Sequence, residues 1–369
     1  MEMEFIDENR TSAIIKVVGV GGCGGNAVRN MCANHEIEQV AYYAVNTDAQ
    51  ALDSMPSGVE RIQIGQSTGR GLGAGADYSL AEKAAREDEA RLRKIIDGAD
   101  MVFVAAGMGG GTGTGAAPVI AELCQEQKIL TVAVVTKPFG FENRDAPAEV
   151  GIDNLNKQVD SVIIVPNDKV LEHFGEDVKM DEIFQRSDEV LINAVSGICE
   201  VIAKPGHINV DFADVRSVMS EMGRAMMGTA LEEGPARAVT AATKVIECPL
   251  LEGIDLLNAR GLLVNISASK DSLSFKEVNE AMNLIKPKAS PEAKVFFGIV
   301  YDDTLGEKMR ITLIATGLRS ESGLRRLGGG THIGAAARPA MFRSARMKKG
   351  NLNQQSLLDG DERMQAVLR

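Results

Sequence analysis

The sequence predicts an α/β protein: a doubly wound, mainly parallel sheet joined by a long central helix to a smaller α+β domain. Three observations predict it. Apolar runs rich in Val and Ile alternate with segments of helical period. Glycine-rich turns stand where strands end and helices begin. Beyond residue 222 the alternation gives way to a second, shorter set of elements that closes with two adjacent strands.

The elements follow in order. AIIKVVGV (13–20), VAYYAV (40–45), MVFVAA (101–106), LTVAVV (130–135) and SVIIV (161–165) read as buried strands, continuous in apolar character because both faces of a parallel sheet are covered. Helical-period segments at 26–34, 77–96, 114–127 and 147–159 supply the crossovers that parallel neighbours need. A long helix over about 178–202 follows. Its Ile183, Phe184, Val190, Leu191, Ala194, Val195, Ile198, Val201 and Ile202 keep three-and-four spacing along one stripe, and KPG at 204–206 stops it. The smaller domain reads strand (224–230), helix (235–247), strand (262–269), helix (275–286), then strands at 293–300 and 308–316. The expected division is an N-terminal extension (1–12), a nucleotide-binding domain (13–177), the central helix and its connecting loop (178–208), an α+β domain (209–317) and a flexible basic tail (318–369).

Composition narrows the class. At 369 residues and 44% hydrophobic content the chain can bury a large core. Five cysteines without a CxxC pair fit a reducing compartment and a cytoplasmic location. No run reaches the about 18–20 apolar residues of a membrane span, and the acidic start MEMEFIDE is unlike a signal peptide. Residues 319–350 hold eight Arg or Lys against one Glu, so the body is more acidic than the overall −11. So acidic a body argues against nucleic acid as a partner.

The chemistry lies in the glycines. GVGGCG (Gly19, Gly21, Gly24) satisfies GxGxxG after the first strand, where backbone and helix N-terminus can approach a phosphate. Alone it fits a Rossmann dehydrogenase, with Asp48 as the ribose acid, or a tight turn with no ligand. The second loop, GMGGGTGTG (107–115), also follows a strand and opens a helix, so both loops should emerge on one sheet edge and face one ligand. Successive glycine amides form an anion nest, with Thr112 and Thr114 as hydroxyl donors. Neither loop carries the Gly-Lys-Ser/Thr ending of a P-loop, so backbone amides, helix ends and Mg²⁺ must meet the phosphate charge. A third glycine turn, GRGLGAG (69–75), could close over the terminal phosphate.

With GGCGGN upstream, GGGTGTG makes the chain resemble the tubulin/FtsZ superfamily, and closely its FtsZ family. The resemblance runs from about Ala13 to Gly317 through VNTDAQAL (45–52), GRGLGAGA (69–76), AAGMGGGTGTGAAPVIA (105–121), TKPFGFE (136–142), VPNDK (165–169), NVDFADVRSVMSEMGRAMMG (209–228) and ARGLLVNI (259–266). It implies GTP hydrolysis coupled to head-to-tail polymerisation, and a role in the division ring at mid-cell. It also implies GTP or GDP with Mg²⁺ as cofactors, no protein metal ligand, and division proteins and membrane adaptors as further partners. Gly22, Cys23, Gly24, Gly25 and Asn26 would line the α- and β-phosphates and ribose, and Gly109, Gly110 and Gly111 the β/γ end. Glu142 would bind the ribose, and Phe184 and Asp188 the guanine. Cys23 stands where the family usually has glycine. A shortened loop places Arg144 on the family's phosphate-facing arginine; the alternative puts Ala146 there.

Asp211 and Asp214, three residues apart at a helix start, can point the same way, and acids there suit the helix dipole. The resemblance gives them, with Asn209, the task of orienting the attacking water in the GTP site of the next subunit. A relative that polymerises without hydrolysis is the alternative. The tail ends in DERMQAVLR, a faint echo of the family's adaptor peptide, and RPAMFRSARMKKG (338–350) could touch anionic lipid or serve as a solubilising linker.

Overall fold

A computed structural model describes residues 13–34, 37, 40–69, 71–175, 178–203, 206–208, 210–221, 223–251 and 256–318. The N-terminal extension, Asn209 and the tail from residue 319 onward lie outside the described residues.

The first half runs β1 (Ile15–Val20), α1 (Gly21–Asn34), β2 (Val40–Asn46), α2 (Ala49–Asp53), β3 (Val59–Gln63), α3 (Gln66–Gly69), α4 (Tyr78–Glu87), α5 (Glu89–Ile96), β4 (Met101–Gly107), α6 (Thr112–Glu126), β5 (Leu130–Lys137), α7 (Asp145–Leu155), β6 (Ser161–Pro166) and α8 (Asn167–Phe174). The central helix is α9 (Met180–Ala203). The second half runs β7 (Gly206–Ile208), α10 (Phe212–Met219), β8 (Gly223–Glu233), α11 (Arg237–Ile246), β9 (Gly261–Ala268), α12 (Phe275–Ile285), β10 (Lys294–Tyr301) and β11 (Lys308–Leu318).

β1 to β6 are parallel and lie in the order 3-2-1-4-5-6. That order reverses direction between β1 and β4, which opens a crevice at their carboxyl ends. Both glycine loops sit there, since α1 follows β1 and α6 follows β4. The two halves share one sheet: β8 pairs in parallel with β6, and β11, β9, β10 and β7 continue it to eleven strands. The sequence predicted two domains and did not anticipate this continuity.

Three apolar clusters hold the layers. One face of the first-half sheet packs on α4 to α7. The opposite face packs on α1 and α9: Leu191, Val195 and Ile198 of α9 share one apolar cluster with Ile15, Val17, Met101 and Phe103, and α9 lies against α1, β5 and β6. The same helix reaches Ala225, Met227 and Ile314 of the second half, so one apolar stripe serves both. A third cluster fills the space between α11, α12 and the second-half strands.

Differences from the expected elements have local causes. The helix expected over 77–96 is two helices, because Asp88 leaves the helical path (φ −102, ψ 21) and its carboxylate accepts from Gly65 N–H at 2.8 Å. The edge strands β3 and β7 and the helix α8 are too short to show a period. The last strand runs to Leu318, two residues past the strand expected over 308–316.

Candidate functional site

The crevice between β1 and β4 holds a cavity of about 500 Å³. Its wall includes ten of the residues singled out from sequence: Gly22, Cys23, Asn26, Gly110, Gly111, Thr112, Glu142, Arg144, Phe184 and Asp188. They come from five elements or turns spread over more than 160 residues, brought together by the strand order.

The glycines divide by what surrounds them. A Cβ on Gly22 or Gly110 would meet nothing within 4 Å. Protein packing therefore does not require glycine there, whereas a ligand against the backbone would. Gly24 is different: its Cβ would lie 2.1 Å from the Ala105 carbonyl oxygen, so this glycine lets α1 press against β4. Gly25 faces Met55, and Gly109 takes φ +93 with Arg144 against it. The structure thus places Gly24, Gly25 and Gly109 behind the cavity wall. Thr114 is also turned inward, where its hydroxyl accepts from Gly109 N–H at 2.9 Å, so Thr112 is the hydroxyl facing the cavity. That corrects the expectation of two hydroxyl donors.

One end of the cavity is aromatic and acidic. Phe184, half-exposed, is braced edge-to-face by the buried Phe139, with ring centroids 5.3 Å apart. One helical turn on, Asp188 takes a hydrogen bond from the Cys23 thiol at 3.7 Å. Burial pushes the Asp188 carboxyl up to about 6, with the Cys23 hydrogen bond and the Arg29 charge pulling the other way. Burial, then the nearby Asp188 charge, pushes the Cys23 thiol up to about 12. Gly107 makes room for Cys23, since a Cβ there would lie 2.8 Å from the cysteine Cβ.

At the rim, Glu142 closes the turn 140–142 by accepting from Phe139 N–H at 3.0 Å, and its other oxygen lies 3.8 Å from Arg144. Arg144, at the start of α7, is in the wall; Ala146, inside α7, is not. Thr136 and Asn167 also line the cavity and were not singled out. The Asn167 side-chain oxygen is buried and has no partner among the described residues, so it can accept from a ligand. Its signal was positional: Asn167 follows the carboxyl end of β6, where such sheets bind ligands. Gly75 of the third glycine turn is in the wall too.

Asp211 and Asp214 stand elsewhere. Asp211 caps α10, its carboxylate accepting from Asp214 N–H at 2.8 Å. The Asp214 carboxylate, half-buried, has no partner among the described residues. From Asp188 to the end of α9 at Ala203 is about 22 Å of helix. α10 begins beyond that end and packs on β9 and β10. Neither acid is among the residues that line the cavity.

A Rossmann-order sheet with two glycine loops at its switch point, no P-loop lysine and a carboxylate beside an aromatic ring defines a nucleotide-binding protein outside the P-loop class. The comparisons give the family. The GTPase-domain profile of the Tubulin/FtsZ family matches residues 14–175, and the profile of the FtsZ family C-terminal domain matches 223–319. The cell division protein FtsZ of Wigglesworthia glossinidia brevipalpis is 51% identical over 313 residues, covering 84% of this chain and 81% of its own. That of Pseudomonas aeruginosa is 49% identical over 317 residues, covering 85% and 80%. A solved FtsZ dimer from M. jannaschii superposes with a TM-score of 0.80 at 38% identity, over 85% of this chain and 90% of that one. The chain belongs to the FtsZ family. It is a tubulin-like, polymer-forming GTPase of cell division.

Proposed function

We propose that GTP lies in the cavity with its phosphates over Gly22, Gly110, Gly111 and Thr112 and its ribose beside Asn26 and Glu142. Its guanine lies between Phe184 and Asp188. Cys23, Gly24, Gly25 and Gly109 shape the turns that aim the amides, and Arg144 adds the fixed cation at the phosphates. The observation that carries this reading is the empty space beside Gly22, in the first turn of α1, and Gly110, in the loop that opens α6, where helix-start N–H groups can meet a phosphate. Asp188 in its ionised form accepts from the guanine N1–H and exocyclic amine, and Asn167 supplies a further acceptor.

Hydrolysis requires the next subunit. Asp214, with Asp211 and Asn209, enters the neighbour's site and orients and polarises the attacking water. The distance along α9 supports this, because it leaves each chain with a binding half at one end and an acidic half at the other. The boundaries 13–177, 178–208 and 209–317 are proposed on the same ground.

Among the described residues no three His, Cys, Asp or Glu side chains cluster as metal ligands. This donor set fits a Mg²⁺ held by phosphate oxygens and waters, with Thr112 the neighbouring hydroxyl, rather than by a protein cage. Bound there, Mg²⁺ would neutralise charge on the outer phosphates.

We further propose a cytoplasmic location at the mid-cell division site and contacts with division proteins and membrane adaptors through the tail. No described helix is long and apolar enough to cross a membrane.

Mixing two inactive variants tests the central claim. Asp214→Ala subunits keep an intact cavity, and Asp188→Ala subunits keep an intact acidic pair. Hydrolysis restored on mixing supports a site shared between subunits; a mixture as inactive as its parts would refute it.

A further inference from the structure

Thr47 follows β2 directly and is 2% exposed. Its Oγ1 lies 2.7 Å from Oγ1 of Thr112, the first residue of α6 and part of the cavity wall. The loop around Thr47 is fixed on both sides. Asn46 Oδ1 accepts from Asp48 N–H at 3.1 Å, and Asp48 Oδ1 accepts from Gln50 N–H at 2.9 Å. Ala49 N–H donates to the Gly71 carbonyl at 3.2 Å, so the same loop carries the turn that brings Gly75 to the cavity.

We propose that Thr47 is a positioning residue for the terminal phosphate: it sets the direction of the Thr112 hydroxyl and thereby separates a nucleoside triphosphate from a diphosphate. This rests on the placement of Thr112 at the phosphates given above. Each hydroxyl has one proton and two lone pairs. When Thr112 donates its proton to a phosphate oxygen, the proton between the two threonines must come from Thr47. Thr47 then donates to Thr112 and Thr112 to phosphate, a chain polarised in one sense and strengthened by that alignment. Without a terminal phosphate the two hydroxyls satisfy one another in either sense, and the alignment is lost. Thr47 touches no part of the cavity itself, so its effect passes through Thr112.

Thr47→Val keeps the side-chain shape and removes the hydroxyl; Thr47→Ser restores it. Affinities for GDP and GTPγS are measured by displacement of a fluorescent nucleotide below the assembly threshold. Thr47→Val should weaken GTPγS about fivefold, the loss of one hydrogen bond to a polarised partner, and change GDP by less than about twofold. Thr47→Ser should restore the ratio, and Thr112→Val should lower it. An unchanged ratio in Thr47→Val beside a lowered ratio in Thr112→Val overturns the inference. Equal loss of both nucleotides with a lower melting temperature also overturns it, since that marks a structural role. If Thr112→Val leaves the ratio unchanged, the placement of Thr112 at the phosphates fails and this inference falls with it.

Discussion

The Cys23 thiol donates to Asp188 Oδ1 across 3.7 Å, which joins the first glycine turn to the central helix inside the cavity. The contact places a carboxyl titrating near 6 where a guanine would present two N–H donors. On the proposed placement of guanine, nucleotide binding is expected to release a proton at this residue.

The pH dependence has two opposite parts. Without nucleotide, folded Asp188 keeps its proton up to about pH 6, while the unfolded side chain loses it near 3.8. Across that window the folded state binds more protons, so this group's contribution to stability falls as pH rises. Guanine needs the ionised form, so nucleotide affinity should fall as pH drops below about 6. Calorimetry in buffers of different ionisation enthalpy should show a proton released on GDP binding near pH 6. In Asp188→Asn that release and the affinity step should both disappear.

Gly22 and Gly24, two positions apart in the chain, should behave in opposite ways. Gly22→Ala meets no protein atom and should keep the melting temperature while weakening GDP binding about tenfold or more, the loss of a charge-assisted amide contact. Gly24→Ala drives a Cβ into the Ala105 carbonyl and should cost about 2–3 kcal/mol of stability. Thermal melts with and without GDP separate the two; equal melting temperatures would contradict the division of the loop into ligand-facing and packing glycines.

The acidic pair is separable as well. Asp214→Ala should keep GDP affinity and filament formation and lose hydrolysis about a hundredfold or more. Asp211→Ala also removes the cap of α10 and should cost about 1 kcal/mol, which Asp211→Asn should largely restore without restoring the charge. Phosphate release together with urea melts resolves both effects. Weakened GDP binding in Asp214→Ala would place that residue in its own chain's cavity and contradict the separation along α9.

On the proposed site shared between subunits, phosphate release per subunit should rise steeply above a threshold protein concentration. Release assays across a dilution series, with sedimentation in parallel, should show both thresholds together. A rate per subunit that is flat on dilution would sink the shared site.

Much of this was legible in the residues. β1, β4, β5 and β6 were legible because each is a short Val- and Ile-rich run that no helical period explains. α9 was legible because its stripe is long enough to fix a period. Arg144 and Phe184 came from the resemblance, and the structure sets both in the cavity wall. Asn167 was passed over because VPNDK was read only as part of the resemblance, which gave Asn167 no role; its place at the end of β6 gives it meaning. Thr47, inside VNTDAQAL, was likewise given no role, since its partner lies sixty-five positions away.

By itself the sequence determined the parallel α/β class, the two glycine loops at the strand ends and the acidic pair at the start of a helix. These depend on local composition and spacing, which are written along the chain. Only the tertiary structure decided which glycines have open space beside them and which make room for a neighbouring strand, because that depends on atoms brought close from distant elements. It also decided that β8 joins β6 in one sheet, and that Asp211 and Asp214 lie outside the cavity wall, beyond the end of the 24-residue central helix. A helix rises about 1.5 Å per residue whatever its sequence, so the separation is fixed by geometry.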